Sequence, residues 1–90
     1  MLELDEVKLY LRIDGDEEDS LITSLIEASV ELCEGILRYP LTDFEEVPEL
    51  VKNAVLFSIA SMYEKREGEG FKTTLDVIKR LLSPYRKESW

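Results

Sequence analysis

Apolar residues recur along this chain at the spacing of helices. Leu4, Val7, Tyr10 and Leu11 predict a short first helix over residues 4–12. Ile13 follows, and Asp14-Gly15-Asp16 forms a turn of residues that tolerate left-handed backbone. Asp16 is expected to cap a second helix, with Asp19 three residues later as a variant of the capping box. Glu17, Glu18 and Asp19 load its first turn with the negative charge that the helix macrodipole favours. Ile22, Leu25, Ile26, Val30, Cys33, Ile36 and Leu37 give this helix one apolar face, and Glu27, Glu31 and Glu34 its polar one. Gly35 costs about 1 kcal/mol relative to Ala in a helix interior, so it marks either fraying or a close approach by another helix.

Arg38 to Val47 contains Pro40 and reads as a loop. Pro48 suits the first helical position of a third helix, with Glu49 in its first turn. This helix is expected to run to Glu67, with Gly68 as its C′ residue. Residues 54–63 are apolar almost all round, which marks the element that the others surround. Ser58 and Ser61 are expected to bond back to carbonyls one turn earlier. Gly68-Glu69-Gly70 reads as a turn, and Thr73 with Asp76 as a capping-box-like start for a fourth helix. Leu75, Ile78, Leu81 and Leu82 share its apolar face, and Ser83-Pro84 ends it. The pattern predicts an all-α fold of about four helices: one short N-terminal helix, two long antiparallel ones and a C-terminal one. Residues 1–84 form the helical domain, and residues 85–90 a mobile C-terminal tail.

Composition narrows this picture. Ninety residues bury one core and no more, and a hydrophobic share of 44% excludes disorder. The net charge of −9 conceals an asymmetry. Residues 1–49 hold fifteen acids against three bases (Lys8, Arg12 and Arg38), a balance of −12. Residues 50–90 hold eight bases against five acids, a balance of +3. Such a division suits a solvated acidic face or a surface that docks on one of opposite charge. The acidic total argues against sequence-independent DNA binding, which depends on Lys and Arg. No apolar run approaches the ~20 residues needed to cross a bilayer, and the acidic opening is unlike a signal peptide. The single Cys33 allows no internal disulfide and fits synthesis in a reducing cytoplasm.

Candidates for chemistry are few. The chain has no His, which removes the commonest general base and metal ligand together. Cys33 shares the face of Ile26, Val30 and Leu37 and is expected as a buried structural thiol. Asp14-Gly15-Asp16-Glu17-Glu18 has the acid density of a calcium loop. Its sixth position is Asp19 where Gly is required, and its twelfth is Leu25 where a bidentate acid belongs. The strongest enzymatic pattern is the pair of E-x-x-E motifs, Glu31/Glu34 and Glu64/Glu67. All-α Mg²⁺-dependent nucleotide pyrophosphohydrolases set such acids on facing helices, because Mg²⁺ takes oxygen ligands and phosphates complete its shell. The second acidic pair of that pattern, ending in Asp, is missing here, and Glu31 and Glu34 lie on the polar face. Di-iron bundles need a Glu-x-x-His motif. No catalytic, cofactor-binding or metal-ligating residues are therefore expected, and no enzyme.

Three segments carry a resemblance. The first is Leu4-Asp5-Glu6-Val7-Lys8-Leu9-Tyr10-Leu11-Arg12-Ile13-Asp14, with the acid-rich turn leading to Asp19-Ser20-Leu21-Ile22. The second is Val47-Pro48 opening a helix that contains Ala54 and ends in Met62-Tyr63-Glu64-Lys65-Arg66-Glu67. The third is Leu81-Leu82-Ser83-Pro84-Tyr85-Arg86. In this order they cover most of the chain, and together they resemble the head–tail connector (head-completion) proteins of tailed bacteriophages. The resemblance implies a structural subunit made in the host bacterial cytoplasm and carried at the head–tail junction of the virion. It implies a homo-oligomeric ring beneath the portal protein that extends the DNA channel and receives a stopper or tail protein. DNA would pass without specific binding, and no membrane or cofactor is implied.

Tyr85, Arg86 and Trp90 follow the last helix stop and belong to the residue types enriched at interface hot spots, so they are expected to bind a partner. A different reading of the same charges is a small acidic interaction or regulatory module of the DNA-mimic type. It would present the Asp14–Asp19 and Glu27/Glu31/Glu34 acids as a phosphate-like surface to a basic partner.

Overall fold

The structure, a computed structural model, describes residues 2–64 and 69–86. It contains four α-helices: α1 (Leu4–Leu11), α2 (Asp19–Leu37), α3 (Glu49–Tyr63) and α4 (Glu69–Leu82). Short 3₁₀ turns follow at Leu41–Asp43 and Ser83–Tyr85. The all-α reading holds. Among the described residues no helix is long and apolar enough to cross a membrane.

α1 closes where Arg12 enters left-handed backbone at φ 62° and ψ 46°, and the Ile13 N–H then donates to the Lys8 carbonyl at 2.9 Å. Arg38 closes α2 in the same way at φ 73°. Both ends use a conformation that glycine adopts more easily. α2 starts two residues later than expected, and Asp16 does not cap it. The N-cap residue is Glu18, which makes no side-chain capping bond. Asp16 and Asp19 turn instead to Lys8, whose Nζ lies 3.3 Å from Asp16 Oδ1 and 2.8 Å from Asp19 Oδ1. The Lys8 side chain is only 11% exposed, and an ammonium so enclosed has to be paired. That demand outweighs a capping bond of about 1 kcal/mol. Gly35 marks neither fraying nor a close approach, because α2 continues to Leu37 and a Cβ on Gly35 would meet nothing within 4 Å.

α3 packs against α1, α2 and α4 and buries seven of its residues, as its all-round apolar pattern implies. Pro48 stands one position earlier than expected, as the N-cap in extended backbone, and its carbonyl accepts from the Lys52 N–H at 3.0 Å. The helix ends at Tyr63, not Glu67, with the Glu64 N–H returned to the Ala60 carbonyl at 2.9 Å. The expected Gly68 terminus lies outside the described residues. α4 starts at Glu69, so Gly70 is helical and Thr73 is no cap. The Thr74 hydroxyl donates to the Gly70 carbonyl at 2.9 Å, one turn back inside the same helix.

The core collects Val7 from α1, Ile22, Cys33 and Leu37 from α2, Val51, Val55 and Ile59 from α3, and Ile78 and Leu82 from α4. Each fully buried aliphatic side chain contributes roughly 1.5–3 kcal/mol. The two core serines behave differently from expectation and from each other. Ser61 donates across to the Thr74 hydroxyl at 3.1 Å. The buried Ser58 Oγ makes no hydrogen bond among the described residues.

Candidate functional site

Helix α2 is a rod of about 28 Å at ~1.5 Å per residue, and its two ends differ in charge. At the first end stand Asp14, Asp16, Glu17, Glu18 and Asp19. Three of these five acids have structural partners. Asp16 and Asp19 flank Lys8, and Glu18 Oε1 accepts from the Tyr63 hydroxyl at 2.6 Å, which ties this loop to the end of α3. Asp19 first, then Asp16, hold the Lys8 ammonium above its ordinary pKa against the opposing effect of burial. The Glu18 contact raises that of Tyr63. Asp14 and Glu17 are exposed, with the Glu17 carboxylate lying over Gly15.

At the other end, Gly35, Ile36 and Arg38 of α2 face Lys79 of α4 and Arg86 across an open notch of about 220 Å³. Among the described residues none of its three cations makes an ion pair. Sequence reasoning missed this site. Arg38, Lys79 and Arg86 are far apart along the chain, and no local spacing signals their meeting.

The expected docking residues are placed as follows. Tyr85 lies half-buried in the 3₁₀ turn, its ring edge-on to Phe44 at 6.0 Å and 80°. Phe44 in turn packs on Tyr39 at 5.4 Å, and the Tyr39 hydroxyl donates to the Tyr85 carbonyl. Burial, then Asp43, raise the Tyr39 pKa. Tyr85 is thus fastened to the loop after α2. Arg86 is exposed and lines the notch. Trp90 lies outside the described residues. Beside this aromatic cluster, Leu41, Thr42, Phe44 and Val47 line a second, apolar hollow of about 200 Å³.

Of the acids weighed for catalysis, Glu34 has a structural duty. Glu34 Oε2 accepts from the Leu41 N–H at 2.7 Å and so secures the turn after α2, while Glu31 is exposed. Glu67 lies outside the described residues. Among the described residues no three His, Cys, Asp or Glu side chains converge as metal ligands do. Cys33 is fully buried, and burial with a smaller effect of Glu34 pushes its thiol up to about 12. A thiol so rarely ionised is a poor nucleophile. Lys52 Nζ meets Glu6 Oε2 at 2.6 Å and joins α3 to α1. The surfaces that remain differ in charge and shape from one end of α2 to the other.

The family described as Phage gp6-like head-tail connector protein matches residues 1–85. No curated protein and no solved structure matches the chain.

Proposed function

Because the chain belongs to the phage gp6-like head–tail connector family, we propose that it is a structural subunit that closes into a ring beneath the portal protein of a tailed phage. The ring extends the DNA channel and receives the next stopper or tail protein. The observation that carries this reading is the extent of the family match, which takes in all four helices and the 3₁₀ turn at Tyr85. The charge layout supports it. A subunit with unlike patches at separate places suits a heterologous contact, which makes a ring when its rotation closes. The acidic surface would let DNA slide past without adhering.

Tyr85, Arg86 and Trp90 serve in this reading as the docking element toward the portal or a neighbouring subunit. Tyr85 is held against Phe44, and the exposed Arg86 supplies charge. The test is electron microscopy of the concentrated protein, alone and mixed with portal protein. Rings, free or seated on the portal, are the expected outcome. A protein that forms no ring in either condition, but binds a basic DNA-binding protein one to one, would replace this reading with the DNA-mimic one. Deletion of residues 86–90 should leave the helical signal intact and abolish ring or portal binding.

A further inference from the structure

We infer that the notch formed by Arg38, Lys79 and Arg86 receives the acidic α1–α2 loop of a second copy of this chain, with Asp14 and Glu17 as the entering carboxylates. The inference rests on the ring reading and names the surfaces that would meet in it.

Three observations carry it. First, the notch concentrates three cations in an acidic protein, and among the described residues none of them is ion-paired. Lys8 and Lys52, by contrast, are satisfied internally by Asp16, Asp19 and Glu6. Cations gathered at one place without partners repel one another, and they gain when anions arrive. Second, Asp14 and Glu17 are the acids of the 14–19 cluster that the fold does not use, and both are exposed. Third, the loop and the notch sit at opposite ends of α2, about 28 Å apart. One rigid molecule cannot bring them together, so the complement of each is found on another copy. Arg and carboxylate pair in a directional, often bidentate way, which would fix the angle between successive subunits. Duplex DNA is the other polyanion in reach, but the charge of −9 opposes its approach.

The experiment uses two charge-reversed chains. One carries Arg38→Glu and Lys79→Glu, and the other Asp14→Lys and Glu17→Lys. All four positions are exposed, and circular dichroism checks that both chains fold. Should the notch variant fold poorly, Arg38→Gly with Lys79→Gln removes the charges without reversing them. Self-association is followed by light scattering and sedimentation. Each reversed chain alone should associate at least about 10-fold more weakly than wild type. An equimolar mixture should recover association, because every contact in it again joins unlike charges. The size of the recovered species separates the two claims. A ring supports both, whereas a closed dimer supports the notch pairing and overturns the ring. Reversed chains that assemble like wild type would overturn the notch pairing and leave the ring intact. Unchanged assembly with weakened retention of a short DNA duplex by the notch variant would assign the notch to nucleic acid and overturn the inference. A wild-type protein that never self-associates, alone or with portal, overturns both.

Discussion

The Ser61 hydroxyl donates to the Thr74 hydroxyl at 3.1 Å, and the Thr74 hydroxyl donates in turn to the Gly70 carbonyl. The first of these bonds crosses the buried seam between α3 and α4, and the second lies within α4; both side chains are almost wholly enclosed. Thr74→Val keeps the shape but leaves Ser61 without its acceptor. The expected loss is about 1–3 kcal/mol, the desolvation cost of an unmade bond. Ser61→Ala combined with Thr74→Val should cost less than Thr74→Val alone, because no orphaned hydroxyl remains. Chemical denaturation of the three variants measures both effects.

Ser58 and Gly35 are places where the chain can be improved. The buried Ser58 hydroxyl has no hydrogen-bond partner among the described residues, so Ser58→Ala removes a desolvated polar group and should stabilise by about 1 kcal/mol. Gly35→Ala, at an open helical position, should add roughly 0.5–1 kcal/mol through helix propensity. The two sites are independent, and the double variant's denaturation midpoint should show an additive gain.

Tyr39→Phe tests the fastening of Tyr85. The ring contact with Phe44 survives the change and the hydrogen bond to the Tyr85 carbonyl does not. A loss of about 0.5–1.5 kcal/mol is expected. Faster amide exchange should be confined to residues 83–86.

Cys33 should be inert in the native state. Its thiol is pushed up to about 12, so a thiol reagent near pH 8 should react only at the rate of unfolding. Denaturant should restore ordinary reactivity, and rapid labelling of the folded protein would contradict the buried placement.

Stability should fall on the alkaline side. Lys8, Lys52, Tyr39, Tyr63 and Cys33 all have pKa values raised in the folded chain. The unfolded chain therefore gives up protons first, from about pH 9 for Cys33 and pH 10–10.5 for the tyrosines and lysines. Their contributions are complete below those values and are lost as pH rises through the folded ones. Glu6 works in the opposite sense. Its hydrogen bond from Lys52 lowers its pKa below 4.5, so its contribution is present above that value and lost as pH falls through the depressed one. Melting temperature measured across pH should show both limbs, and Glu6→Gln should flatten the acid limb.

Much of the fold was legible in the order of residues because helix formation is local. The spacing of Ile22, Ile26, Cys33 and Leu37, and of Ile78 and Leu82, announces a buried face without reference to the rest of the chain. The all-round apolar stretch of α3 likewise announces its central place. Helix starts were less legible, because Asp16 and Thr73 are good caps in isolation, but Asp16 pairs with Lys8 and Thr73 lies inside a helix that begins at Glu69. Lys8 chose its carboxylates only once α1 lay across the start of α2. The uneven charge was written along the chain, but its geometry was not. Arg38, Lys79 and Arg86 meet because α2 and α4 pack with their C-terminal ends together, and side-chain charge carries no information about that packing. Helical periodicity acts over a few residues, whereas the notch depends on how whole helices are laid against one another.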